Sequence, residues 1–64
     1  MKVKYDKEAD VLYIQLSEEV VAESDEERKG IILDYASDGK IVGIEILNAS
    51  KNLPQPTKVE YEVA

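Results

Sequence analysis

The stretch Gly30-Ile-Ile-Leu-Asp-Tyr-Ala-Ser-Asp-Gly-Lys-Ile-Val-Gly-Ile-Glu-Ile-Leu47 decides how this chain folds. Two runs rich in β-forming residues flank Asp38-Gly39, which is the strongest short-range signal for a β-hairpin. Because side chains alternate along a strand, a symmetric hairpin with a loop of two or four residues has one apolar face and one mixed face. The apolar face pairs Ile31/Ile46, Leu33/Ile44 and Tyr35/Val42, and the mixed face pairs Ile32/Glu45, Asp34/Gly43 and Ala36/Ile41.

Residues 2–16 predict a second hairpin with an edge strand, a polar turn at residues 6–10 and a further strand. Pairing Tyr5 with Leu12 gives this hairpin a wholly apolar face, whereas a register one residue shorter places Lys4 opposite Leu12. The sequence therefore favours the first register.

The remaining segments are less regular. Residues 20–23 have an extended pattern, and residues 23–29 are compatible with a solvated strand, a loop or a helical turn. A short helix is expected at residues 48–53, with Asn48 as its cap, before Pro54 ends it. Residues 57–63 alternate apolar and charged side chains, which predicts a strand docked either on its own sheet or on a second subunit.

These elements predict a mostly β (α+β) protein, an antiparallel β-meander of four to six strands with one short helix near the C-terminus. The meander and helix form a domain over residues 1–53, and residues 54–64 form a C-terminal extension. A chain of 64 residues has a small core, and without cysteine it has no disulfide to reinforce that core. The apolar residues Ile32 and Ile41 on the mixed face therefore favour a homodimer.

The charge of the chain narrows the classes of partner. Fourteen acidic and eight basic residues give a net charge of −6, which disfavours nucleic acids and anionic membranes. A basic protein is the natural counterpart, although the charge could serve only to keep a small protein in solution. No apolar run is long enough for a transmembrane helix, and Met1–Tyr5 does not resemble a signal peptide, so a cytoplasmic location is expected.

No residue pattern predicts a metal or cofactor site. The chain contains no histidine and no cysteine. Asp6, Glu8 and Asp10 alternate as in the start of a calcium loop, but Val11 and Ser17 stand where an EF-hand loop requires glycine and glutamate.

Catalysis is not expected either. The sequence offers no nucleophile with an adjacent base, and the carboxylates of Asp34 and Glu45 would need a cleft to act as acid and base. Gly43 marks either a bend or bulge of the sheet, or a close approach by the short helix or a partner subunit. The candidate interaction residues are Asp25, Glu26 and Glu27 in the acidic segment, and Ile32, Ile41 and Gly43 on the mixed face.

Three blocks of sequence point to a known family: Tyr5-Asp6-x-Glu8-Ala9-Asp10-x-Leu12-Tyr13-Ile14-x-Leu16, Gly30-Ile31-Ile32-Leu33-Asp34-Tyr35 and Asp38-Gly39-x-Ile41-Val42-Gly43-Ile44-Glu45-Ile46-Leu47-Asn48-Ala49-Ser50-Lys51. In order and spacing they resemble the small bacterial and archaeal domain-of-unknown-function family numbered 2283, over residues 2 to about 53. Lys7 stands where the family usually has proline. The resemblance implies a β-meander with a short C-terminal helix and no established activity. Some members look like the small partner of a neighbouring toxin-like protein.

The functional prediction is a protein-interaction module. Its most specific form is an antitoxin-like protein that neutralises a basic partner. The alternatives are a purely structural or assembly homodimer and, as a third class, a small carboxylate-dependent enzyme.

Overall fold

A five-stranded antiparallel sheet makes up most of the protein in the computed structural model, which describes all 64 residues. Its elements are β1 (Lys2–Asp6), β2 (Val11–Gln15), β3 (Glu23–Arg28), β4 (Ile31–Tyr35), β5 (Ile41–Leu47) and the helix α1 (Ala49–Asn52). The predicted mostly β fold with one short helix is confirmed. The acidic segment at residues 23–29, for which the sequence allowed a strand, a loop or a helical turn, forms strand β3.

The order of the strands is β1-β2-β5-β4-β3, so the meander is interrupted once and β5 lies at the centre. Residues 16–22 carry the chain from β2 to the opposite edge of the sheet. The amides of Leu16 and Ser17 both donate to the carbonyl of Val42, at 2.7 and 3.2 Å, and the amide of Ala22 donates to the carbonyl of Tyr35 at 2.7 Å. This connection leaves β1 and β3 as the two edge strands.

The hairpin of β4 and β5 has the predicted register except beside its turn. Four predicted pairs form, from Ile31/Ile46 to Asp34/Gly43. The register then shifts, and Tyr35 lies opposite Ile41 instead of Val42. The predicted pairs Tyr35/Val42 and Ala36/Ile41 are therefore wrong.

The turn of this hairpin explains the shift. The amide of Gly39 donates to the carbonyl of Ala36 at 2.9 Å, and the amide of Ala36 donates to the carbonyl of Lys40 at 2.8 Å. Gly39 has a φ of 87°, a left-handed conformation that glycine adopts without steric cost. The turn is thus asymmetric, and β5 accommodates one extra residue as a bulge.

The registers of all strand pairs give the sheet one apolar and one mixed face. The first hairpin has the predicted pairs of Val3 with Ile14 and Tyr5 with Leu12. The apolar face carries Val3, Tyr5, Leu12, Ile14, Ile31, Leu33, Ile44 and Ile46. The mixed face carries Lys2, Lys4, Tyr13, Gln15, Ser24, Glu26, Ile32, Asp34, Gly43 and Glu45.

The core is small because one layer of sheet has little to cover it. Seven of 64 residues are buried, and the apolar ones are Leu12, Ala36, Val42 and Ala49. The molecule measures 33 × 31 × 19 Å, and its short dimension leaves room for little more than the sheet and a partial second layer. The helix α1 has four residues, and the structure contains no helix with the length and apolar character needed to cross a membrane.

The C-terminal extension does not form the strand predicted at residues 57–63. Leu53 and Pro56 are half-buried, and the amide of Lys58 donates to the carbonyl of Gln55 at 3.1 Å to close a turn. These contacts lead the chain over the apolar face instead of along an edge of the sheet. Because a strand needs a neighbouring strand for its backbone hydrogen bonds, the alternating pattern alone does not produce one.

Candidate functional site

An open groove of about 560 Å³ lies between the apolar face and the C-terminal extension. Leu12, Ile14 and Ile46 form its floor. Its walls are Leu53, Pro54, Gln55, Pro56, Lys58 and Val59. Outside the groove, the central apolar residues Ile31, Leu33 and Ile44 remain partly exposed. The chain therefore presents a continuous apolar surface that it covers only in part.

An acidic strand borders this surface. All six residues of β3 are exposed, and Glu23 and Asp25 lie opposite Tyr35 and Leu33, which places them on the apolar side of the sheet. Neither carboxylate makes a hydrogen bond or an ion pair within the chain. These two acids are free to meet a positively charged partner.

Two of the predicted recognition acids already have structural partners. Glu26 Oε2 accepts the amide of Gly30 at 3.0 Å, which stabilises the turn between β3 and β4. Glu27 Oε1 accepts the hydroxyl of Tyr35 at 3.0 Å. This hydrogen bond raises the pKa of Tyr35, and the nearby acidic charges raise it further. The predicted trio of Asp25, Glu26 and Glu27 is therefore not a uniform set of free charges.

The mixed face contains a cluster of polar side chains around Asp34, which is only 4% exposed. The hydroxyl of Ser24 donates to Asp34 Oδ1 at 2.6 Å. The ring of Tyr13 lies over Gly43, the residue that pairs with Asp34. A Cβ atom at Gly43 would lie 2.8 Å from Tyr13 Cζ and 2.9 Å from Tyr13 Cε1. The group that approaches Gly43 is thus this ring, and not the helix that the sequence allowed for.

Glu45 lies in the same cluster, and its environment there changes the pKa of its carboxyl group. Burial raises the pKa of Glu45, and the charge of the neighbouring Asp34 raises this pKa further. Burial also raises the pKa of Tyr13, with added effects from the charges of Asp34 and Glu45. The groove lies on the opposite face of the sheet from this carboxylate pair. The cluster contains side chains from four neighbouring strands, β2, β5, β4 and β3.

The carboxylates of the first turn stabilise local structure. Asp6 Oδ1 accepts the amides of Glu8 and Ala9 at 3.0 and 3.1 Å. No group of three or more potential metal-binding side chains comes together in the structure. Asp6, Glu8 and Asp10 therefore do not converge on a common point.

Asp10 is a structural residue that the sequence did not reveal. Asp10 Oδ1 accepts the Tyr5 hydroxyl at 2.7 Å, and the two Asp10 oxygens accept the amide and the hydroxyl of Ser50 at 3.0 and 2.7 Å. The bond from Tyr5, followed by those from Ser50, lowers the pKa of Asp10. Asp10 thus caps α1 from the far end of the sequence, whereas the predicted cap Asn48 makes no side-chain capping bond.

Ile32 and Ile41 do not share a face, contrary to the prediction. The bulge places Ile41 opposite Tyr35, on the apolar side of the sheet, where it is 42% exposed. Ile32 lies on the mixed face between Glu26 and Glu45. Ile41 therefore extends the apolar surface of the sheet, and Ile32 flanks the polar cluster.

The family comparison agrees with the resemblance found in the sequence. Among curated proteins and solved structures, none matches this chain. The profile of the family described as "Protein of unknown function (DUF2283)" matches residues 2–50, from β1 to the start of α1, and leaves the C-terminal extension outside. The chain belongs to the DUF2283 family.

Proposed function

We propose that this chain is a protein-interaction module whose binding surface is the apolar face of the sheet. The observation that carries the proposal is the partial exposure of Ile31, Leu33 and Ile44 beside an open apolar groove. A contiguous apolar surface bordered by charged residues is typical of a protein–protein contact.

The small core supports the same proposal. Burial of a large apolar side chain contributes about 1.5–3 kcal/mol, whereas ordering the backbone costs roughly 1–2 kcal/mol per residue. The chain buries four apolar residues, and two of them are alanines. Covering the apolar face would add several partly buried isoleucine and leucine side chains to this core.

A second copy of the chain is the first partner to consider. Two sheets that pack face to face form a sandwich with about 10 Å between them, and a two-fold axis places the same surface on both sides. The apolar face suits this arrangement because its centre contains no charged side chain, and its acidic border lies at the β3 edge.

A basic protein is a second candidate partner, and the exposed edge strand β3 favours it. An edge strand offers unpaired backbone groups to an incoming chain, and the free carboxylates of Glu23 and Asp25 would attract positive charge. An antitoxin-like role, in which the module covers a basic partner, is the specific form of this proposal.

The association of copies is tested by methyl NMR and light scattering over a range of protein concentrations. We expect the mass to rise towards that of a dimer, while the methyl signals of Ile31, Leu33 and Ile44 shift. The methyl signals of Ile32 on the mixed face serve as the internal control and should stay constant. A monomer with unchanged spectra at every concentration would contradict association of copies through this face.

The basic-partner proposal is tested by capture from the host with the variant Glu23→Lys/Asp25→Lys. These two residues make no hydrogen bonds in the chain, so the fold should survive their reversal. The matched control is Glu18→Lys/Glu19→Lys, which changes the net charge equally in an exposed loop. Loss of a captured basic protein in the first variant alone would support the proposal, and equal capture by both variants would oppose it.

A further inference from the structure

Two segments at opposite ends of the chain have complementary sequences, and neither pairs with a strand on its outer side. Within the C-terminal segment, Lys58 Nζ and Glu60 Oε1 form a solvent-exposed ion pair at 3.0 Å. The edge strand β1 pairs with β2 on one side only. Residues 58–63 alternate charged and apolar side chains but form no strand, and Val59, Tyr61 and Val63 are 61%, 79% and 80% exposed. Both segments therefore leave backbone and apolar groups unpaired.

We propose that residues 58–62 of one copy form an antiparallel strand on the outer edge of β1 of a second copy, in a reciprocal exchange. This inference rests on the proposed association of two copies and names the segments that join them. In the register that places Glu60 opposite Lys4, all five pairs are favourable, because they join opposite charges or apolar side chains. The pairs are Lys2/Glu62, Lys4/Glu60 and Asp6/Lys58 on the mixed face, and Val3/Tyr61 and Tyr5/Val59 on the apolar face.

The charges select β1 over the other edge of the sheet. Against β3, Glu60 and Glu62 would meet a strand with four acidic residues and one basic residue. Like charges directly opposite each other destabilise a strand pair. Lys2 and Lys4 make no ion pair within the chain, so both are available to the incoming glutamates.

The position of the C-terminal extension favours a second copy over the same chain. Val59 lines the groove together with Leu12, Ile14 and Ile46, which belong to β2 and β5, and no β1 residue lines this groove. In its own chain the extension therefore lies above the middle of the sheet, away from the outer edge of β1. The prolines at 54 and 56 stiffen the segment that leads to it. Reciprocal exchange gives two equivalent strand pairs and a closed two-fold assembly.

A charge-swap experiment separates exchange between chains from pairing within a chain. The variants are Lys2→Glu/Lys4→Glu and Glu60→Lys/Glu62→Lys, studied alone and as an equimolar mixture by sedimentation. Alone, each variant places like charges in both strand pairs, so we expect dimer dissociation constants at least about tenfold higher. In the mixture every β1 meets an extension of opposite charge, and a mixed dimer should form with native affinity.

Two further variants control for net charge. Lys7→Glu/Lys29→Glu and Glu18→Lys/Glu19→Lys make the same changes in charge at exposed positions outside the proposed strand pair. These variants should dimerise with an affinity near that of the native chain. If dimerisation of the control variants is weakened equally, the effect is due to overall charge and the exchange is overturned.

A disulfide provides the second measurement, because the native chain contains no cysteine. Val3→Cys/Tyr61→Cys places thiols on directly opposed positions of the proposed pair, whose Cα atoms would be about 4.5–5.5 Å apart, within the range that disulfides span. Both native side chains are exposed, so the fold should tolerate the changes. Oxidation should give covalent dimers on a non-reducing gel.

The outcomes are distinct. An internal disulfide in a monomer would show that the extension pairs within its own chain, and would overturn the exchange. Native-strength dimers in both charge variants would also overturn it, while leaving association through the apolar face intact. A native chain that stays monomeric at every concentration would contradict both.

Discussion

Gly43 has no side chain because the ring of Tyr13 crosses the strand at that position. Tyr13 is directly opposite Glu45, and its ring leans over Gly43, the next position on the same face, in the direction of Asp34. The Tyr13 ring occupies the space that a side chain at position 43 of β5 would fill. One glycine thereby allows the ring of a tyrosine on β2 to lie across β5.

We expect Gly43→Ala to destabilise the protein by about 1–3 kcal/mol, as overpacking does, because the new methyl group would displace the Tyr13 ring. In a Tyr13→Ala background the same change should stabilise by about 0.5–1 kcal/mol, since alanine is better than glycine in a strand. Urea unfolding of the four proteins gives the coupling free energy. The same cost in both backgrounds would mean that the ring does not restrict this position.

The raised pKa of Glu45 predicts that the stability of the protein depends on pH. Burial and the neighbouring Asp34 raise the folded-state pKa of Glu45 above its unfolded value. The folded protein thus binds a proton that the unfolded chain has released, so this stability is fully present below the ordinary glutamate pKa of about 4.3. It is lost as the pH rises through the raised pKa.

Glu45→Gln should therefore flatten the stability profile above that pH, because an uncharged amide replaces the buried carboxylate. Unfolding midpoints measured across the acidic and neutral range test this, with the exposed Glu18→Gln as control. If the native chain and Glu45→Gln lose stability over the same pH range and to the same extent, another group is responsible for the pH dependence.

The helix α1 depends on the turn between β1 and β2. Four residues are too few for a helix to be stable alone. Asp10 supplies hydrogen-bond acceptors for the amide and hydroxyl of Ser50, and its carbonyl accepts the amide of Ala49 at 2.9 Å. The helix is thus attached to the sheet through one residue of a turn.

Asp10→Ala should release α1, because it removes the two side-chain oxygens that accept from Ser50 and places alanine at a φ of 57°. Asp10→Asn should retain most of the attachment, since asparagine tolerates this conformation and keeps an acceptor oxygen. Amide hydrogen exchange at residues 50–53 distinguishes the two. Equal protection in both variants would show that the Asp10 side chain does not hold the helix.

Alternation and turn residues predicted most of the strands, because both are local properties of the sequence. The register of β1 with β2 followed from the pairing of Tyr5 with Leu12, and it is confirmed. The bulge beside Gly39 depends on the geometry of the turn, so the alternation of apolar and polar side chains could not predict it.

The contacts that the sequence did not predict join distant segments. Tyr13 reaches Gly43 only because β2 and β5 are neighbours, and Asp10 reaches Ser50 only because α1 returns to the first turn. Residues 57–63 have the pattern of a strand, but a pattern does not specify the partner that a strand requires.

The whole molecule is a single sheet with one partial covering layer, which resembles one half of a β-sandwich. Its sheet has a polar cluster around the buried Asp34 on the mixed face and a partly covered surface on the apolar face. Val42 is 2% exposed, whereas Ile44 on the apolar face is only partly buried within the chain. Substitutions at these two positions therefore distinguish the stability of the single chain from any stability that association with a second copy adds.

We expect Val42→Ala to lower stability by about 2 kcal/mol at every protein concentration, because this side chain is buried within the chain itself. The effect of Ile44→Ala should grow with concentration, because a side chain buried on association adds to the concentration dependence of Tm. Thermal unfolding over about a hundredfold range of concentration measures both effects. A native Tm that is independent of concentration, together with an Ile44→Ala effect smaller than that of Val42→Ala throughout, would show that no second copy covers the apolar face.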